Sequence, residues 1–138
     1  MKPQLKRGLK IELPVRVEPW MKPRLEGLVR LRLYATWAMV YHMETVSRLL
    51  LAPHLEKNEA AMGASVLVKH LQPVGINAHI RVIGTVVKVS GPRVYTRLAV
   101  YHKNRKIGEG STLQVVMSRG RFARLLRETR RRRTYGHG

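Results

Sequence analysis

Residues 34–53 read Tyr-Ala-Thr-Trp-Ala-Met-Val-Tyr-His-Met-Glu-Thr-Val-Ser-Arg-Leu-Leu-Leu-Ala-Pro, and between Trp37 and Ala52 the apolar residues Met39, Val40, Met43, Val46 and Leu50 recur at spacings of three and four. That is the period of a helix with one buried face. Pro53 ends it, because proline lacks the N–H donor and its ring clashes with the preceding turn. At about 1.5 Å per residue the sixteen residues from Trp37 to Ala52 span about 24 Å, enough for the central helix of a small sheet. Thr36 stands at the N-cap position, with Met39 instead of Glu or Gln three residues later, so no capping box forms.

Downstream the period falls to two. Ser65 to His70 is a short, almost wholly apolar run of the kind buried on both faces, and Gln72-Pro73-Val74-Gly75 supplies a turn. Ala78, Ile80 and Val82 keep one alternation and Val87 and Val89 the other, so the phase slips near Gly84, as a bulge in a curved strand would make it. Ser90 to Arg93 turns the chain into Val94, Thr96, Leu98 and Val100, and Lys103 to Lys106 turns it again into Ile107 to Met117. Upstream, Ile11 to Val17 reads as a strand that Pro14 confines to an edge or bulge, and Leu28 to Leu33 as a second extended piece. Arg121 to Glu128 suits a short terminal helix. One helix followed by a three-strand antiparallel meander gives an α+β domain.

The chain has 138 residues, about one domain, and no cysteine, which excludes thiol nucleophiles, disulfides and cysteine zinc sites. Aspartate is absent too, so all acidic chemistry falls on eight glutamates and a Ser-His-Asp triad is impossible. No apolar run reaches about 18 residues, and the charged start Met1 to Lys10 has no apolar segment behind it, so a soluble, cytoplasmic protein is expected. No HExxH spacing, P-loop or dinucleotide glycine motif occurs, and His42 and Glu44, two apart on a helix, cannot face one metal. Neither a metal nor a cofactor is expected.

The net charge is +19. Residues 1–33 hold nine Lys/Arg against three Glu, and residues 117–138 hold eight against one, so most of the surplus sits toward the two ends. Such arms attract phosphates of nucleic acid, lipid or a phosphorylated substrate. The run Arg130 to Arg133 followed by Thr-Tyr-Gly-His-Gly reads as a disordered basic tail. The expected layout is a basic arm over 1–10, a folded domain over 11–122 and a basic extension over 123–138.

Three groups suit acyl transfer: the Thr36 hydroxyl, the Glu44 carboxylate eight residues on, and the His70 imidazole, with Gly63 near the start of its strand. Ala35-Thr36-Trp37-Ala38-Met39, then Glu44, then Gly63 through Val68 to His70 resembles the hotdog-fold thioesterases related to fluoroacetyl-CoA thioesterase. Pro53, Pro73-x-Gly75 and Ile107-Gly108-x-Gly110 extend the resemblance over residues 11–122. It implies a curved antiparallel sheet wrapped around one long helix, a homodimer joined edge to edge with active sites at its interface, and hydrolysis of a short acyl-CoA, coenzyme A entering as part of the substrate. Glu44 would attack the acyl carbon or activate water, His70 would move protons, Thr36 would position carboxylate or substrate, and a backbone N–H near Gly63 would face the oxyanion. A thiolate leaves readily, its conjugate acid having a pKa of about 8.5, so strong acid help is not needed. After Gly110 this chain has Ser111-Thr112-Leu113-Gln114 where the namesake enzyme has Thr-His-x-Arg, so acyl selectivity does not carry over.

Each residue also has a plain structural reading: Thr36 as a cap, Glu44 as the i, i+4 partner of Arg48, His70 as a packing residue at a strand end. The competing function is a non-catalytic hotdog scaffold whose basic termini bind RNA or the ribosome. No RNA-reading motif is present, and Tyr95 and Tyr101, on one strand face, read as packing residues. A membrane-surface role for Arg121 to Arg133 has only Phe122, Ala123, Leu125 and Leu126 as an apolar face.

Overall fold

In the computed structural model, which describes residues 1–135, the apolar stripe read from the sequence becomes helix α1, Thr36–Leu51, followed by a 3-10 turn over Ala52–His54. Its buried face holds Met39, Met43, Val46 and Leu50 together with His42 and Ser47. The strands are β1 (Lys10–Arg16), β2 (Glu59–His70), β3 (His79–Ser90), β4 (Arg93–His102) and β5 (Arg105–Ser118), and a second helix α2 covers Arg119–Tyr135. They form one antiparallel sheet in the order β1-β3-β4-β5-β2. Alternate residues Ile80, Val82 and Val86 of β3, with Leu98 and Val100 of β4, are buried against α1. The helix approaches β3 so closely that a methyl group on Gly84 would stand 2.5 Å from Val46 Cγ1 and 3.1 Å from Leu50 Cδ1.

Several expectations hold in kind and change in place. Pro14 lies in an edge strand, since β1 pairs with β3 alone. The bulge in β3 falls between Val86 and Lys88 instead of near Gly84, because Gly84 is needed for the close approach of α1 and keeps its register with Leu98. Leu28 to Leu33 is not a strand: a 3-10 turn occupies Leu25–Gly27, and the stretch makes a single bridge among the described residues, Leu33 to Gly75. The arginine run continues α2 to Tyr135 where a disordered tail was expected, and residues 136–138 of that tail lie outside the described residues. Arginine is a good helix former, so the run of like charges does not stop the helix.

The largest correction concerns β2. Its apolar run suggested a strand buried on both faces, yet it is the other edge of the sheet, with Val66 37% and Leu67 60% exposed. An apolar period reports that a surface wants cover, not that this chain supplies it. Residues 1–9 pack beside β3, with Leu5 in the core and the Gly8 N–H donating to the Val86 carbonyl at 2.8 Å. No helix is long and apolar enough to cross a membrane among the described residues.

Candidate active site

Thr36 is not the N-cap. Ala35 takes that position with extended backbone, and no side chain caps the helix. Thr36 is therefore the first helical residue, and its hydroxyl is free to meet the end of β2, where Thr36 Oγ1 lies 3.0 Å from His70 Nδ1. Burial pushes the His70 pKa below its ordinary value, with the Gln72 main chain acting the other way, so the ring is neutral near pH 7. His70 Nε2 is buried without a hydrogen-bond partner. A buried N–H left unpaired costs more than a buried lone pair, which favours the tautomer with the proton on Nδ1, donated to Thr36, and Nε2 as the bare base.

Glu44 lies elsewhere. It is exposed, two turns along α1, and makes no hydrogen bond or ion pair among the described residues. The expected Glu44–Arg48 pair is not formed, because Arg48 turns to the sheet and donates to Gln114 Oε1 at 3.0 Å and to the Ala61 carbonyl at 2.8 Å. A Cβ on Gly63 would stand 4.0 Å from Glu44 Oε1, so the carboxylate rests over the one residue of that strand segment with no side chain. Beside Gly63 the β2–β5 register shifts, Gly63 facing Gln114 and Ser65 facing Leu113, which leaves Ala64 outside the ladder. Such bulges free backbone N–H groups and re-aim the chain. Glu44, Gly63, Ser65, Thr112 and Gln114 line a hollow of about 360 Å³. Thr112 and Gln114 belong to the stretch in which this sequence departs from the family pattern.

The structure thus brings Thr36 to His70 and Glu44 to Gly63, and keeps the two pairs apart. Six residues of β2, one of them bulged, lie between Gly63 and His70, roughly 20 Å at the rise of a strand. No side-chain motion within one chain closes that gap.

A second polar pair escaped the sequence reading. Tyr34 OH and His42 Nδ1 are 2.6 Å apart, with the rings stacked at 5.7 Å and 24°. Both are buried, Tyr34 completely and His42 to 5% exposure. Burial raises the Tyr34 pKa far above its ordinary value, and burial lowers that of His42, partly offset by the Ala38 main chain. The consistent assignment is a neutral imidazole accepting the Tyr34 hydroxyl proton. The Tyr34 ring also meets His70 edge-on at 6.2 Å, so this pair forms the wall behind the candidate base. The signal was present: His42 falls on the same helical face as Met39 and Val46, where a polar residue needs a partner.

A family model described as fluoroacetyl-CoA-specific thioesterase matches residues 17–120. Among solved structures, a Thermus thermophilus protein of the thioesterase superfamily is 32% identical, with 98% of this chain and 99% of that chain covered at a TM-score of 0.90. The fluoroacetyl-CoA thioesterase FlK is 23% identical over 89% of this chain and 96% of its own, with a TM-score of 0.80. A hot-dog-like protein from Thermanaerovibrio acidaminovorans is 18% identical over 91% and 94%, with a TM-score of 0.83. The last two likenesses show the fold, a hotdog. Comparison with curated proteins found no match.

Proposed function

Because this chain belongs to the fluoroacetyl-CoA-specific thioesterase family and is by that membership a thioester hydrolase, we propose that it hydrolyses a short acyl-CoA to the free acid and coenzyme A at a site shared between two subunits. The observation that carries this reading is the Thr36–His70 contact, which leaves an orphan buried Nε2 on a histidine kept neutral by burial. A buried polar atom with no partner is costly unless a substrate or proton uses it. Glu44, an unpaired carboxylate over the Gly63 bulge, supplies the other half. Its oxygen attacks the acyl carbon or activates the water that does, His70 moves the proton, and a backbone N–H at the bulge meets the developing oxyanion.

The separation of the two halves is the argument for a homodimer. The exposed apolar edge of β2 is suited to pairing with a second β2. An antiparallel pair about a two-fold axis at Leu67, with Ala64 bulged out of each strand, would set Gly63 opposite the partner's His70, and so bring Glu44 to it. The hollow beside Glu44, lined by Thr112 and Gln114, then serves the acyl group, and its residues differ from the namesake's, so the acyl group is left as a short one without fluoroacetate being singled out.

Release of free thiol from a panel of acyl-CoAs tests the activity. Glu44→Gln and His70→Ala should each lower turnover about 100-fold or more. Mixing the two variants with subunit exchange tests the sharing. Half of the dimers become mixed, each with one intact site of two, so about a quarter of wild-type activity returns if the site spans the interface, and none returns if each chain holds its own. A monomer by light scattering at micromolar concentration would overturn the shared site.

A further inference from the structure

The face of the sheet turned away from α1 carries a second concavity, of about 650 Å³. The registers set its side chains in transverse rows. Lys10, Thr85, Arg97, Ser111 and Leu67 stand in one row across all five strands, and Ile83, Ala99, Glu109 and Lys69 in the next. Thr85, Ala99 and Ser111 are small and make a floor, while Lys10, Arg97, Lys69 and Tyr101 rise around it. The face is strongly cationic. Glu109 holds Lys106 at 3.4 Å and Glu12 holds Arg81 at 2.9 Å, but Lys10 and Arg97, and Lys69 across the strands from Glu109, make no ion pair among the described residues.

Two aromatic rings on β4 lie on this same face. The Arg81 guanidinium sits 5.3 Å from the centre of the Tyr101 ring, and the Lys88 ammonium 5.7 Å from that of Tyr95. Six residues separate the rings along the strand, about 20 Å. A mononucleotide reaches one such platform and a chain of several nucleotides reaches both. At β2 the rows reach the edge that a second β2 covers in the proposed dimer, so they continue into a second sheet instead of closing, which suits a polymer.

We propose that this outer face of the sheet binds single-stranded nucleic acid, with Lys10, Arg97 and Lys69 meeting successive phosphates and the Tyr101 ring under Arg81 stacking a base. Unpaired cations supply the salt-dependent share of affinity, and ring stacking the part that salt does not remove. The surface is independent of the hydrolytic site, since Lys69 and His70 alternate to opposite faces of β2.

The test is fluorescence anisotropy of a dye-labelled twelve-nucleotide oligo-uridine between 50 and 200 mM salt, on the full chain. Binding should weaken with salt, and Lys10→Gln with Arg97→Gln should lower the slope of log affinity against log salt by about 1.4, at about 0.7 per phosphate on a single strand. Tyr101→Leu should weaken binding about tenfold with the slope unchanged. Thermal melts confirm that the variants fold, and their turnover of acyl-CoA should stay at wild-type level. Absence of binding at 50 mM salt, or an unchanged affinity and slope in both variants, overturns the proposal. So does a raised KM for acyl-CoA without oligonucleotide binding, which would make the trough a seat for the nucleotide end of coenzyme A.

Discussion

Removing one hydroxyl, by Tyr34→Phe, isolates the buried Tyr34–His42 pair. The ring and its packing stay, but Nδ1 of a histidine 5% exposed loses its donor at 2.6 Å. An orphaned buried acceptor costs about 1–3 kcal/mol. With an unfolding entropy of about 2.1 cal/mol/K per residue, the 138-residue chain has about 0.29 kcal/mol/K, so the melting temperature should fall by about 3–10 °C at pH 8. Adding His42→Leu removes the orphan as well, and the double variant should recover most of the loss, because an apolar pair leaves nothing unpaired. The same set carries a pH signature. Burial disfavours the imidazolium, so the His42 pKa is lowered from 6.5 in the folded state. Below about pH 6.5 the unfolded chain takes a proton that the fold refuses, and stability falls as pH falls, by at most about 1.4 kcal/mol per pH unit for each such group. His70 is lowered in the same sense, so wild type carries two such groups and the double variant one. The measurement is calorimetry at pH 8 and pH 5. An unchanged melting temperature for Tyr34→Phe at pH 8, or a double variant less stable than the single one, would refute the reasoning.

Thr36→Ser should keep hydrolysis within a few fold, whereas Thr36→Val, which loses the contact that orients His70, should lower kcat/KM by about tenfold, the worth of one hydrogen bond of about 1.4 kcal/mol; steady-state kinetics decide between them. The acid limb of kcat/KM should have its midpoint below pH 6.5, since the His70 base stays unprotonated to lower pH than a free imidazole, and a midpoint above 7 in a pH–rate profile would contradict this. Gly84→Ala should cost about 1–3 kcal/mol in denaturant titration, because the new methyl meets Val46 and Leu50, while Gly120→Ala, with nothing within 4 Å, should cost nothing. Deleting residues 129–138 should leave the maximal rate unchanged and alter KM only at low salt, where exposed charges act beyond about 10 Å.

Period and punctuation alone determined the central helix from Trp37 to its stop at Pro53, the meander of three strands after it and the confinement of Pro14 to an edge or bulge, while Thr36, Glu44 and His70 were singled out by their chemistry and by the family resemblance in their order and spacing. These are local facts: a side chain's face follows from its spacing, and proline's limits follow from its ring. The Thr36–His70 contact, the use of Arg48 by Gln114 instead of Glu44, and the Tyr34–His42 pair were decided by tertiary structure. So were the exposure of β2 and the gap between the two halves of the site. Spacing says that a residue is buried or that a strand wants cover, but it is silent on which residue from a distant part of the chain, or from a second copy, will stand opposite. That depends on strand order, and here the order β1-β3-β4-β5-β2 puts the strand bearing His70 at an edge, with its apolar side chains uncovered and Glu44 about 12 Å along the helix from Thr36, which holds the base it would serve.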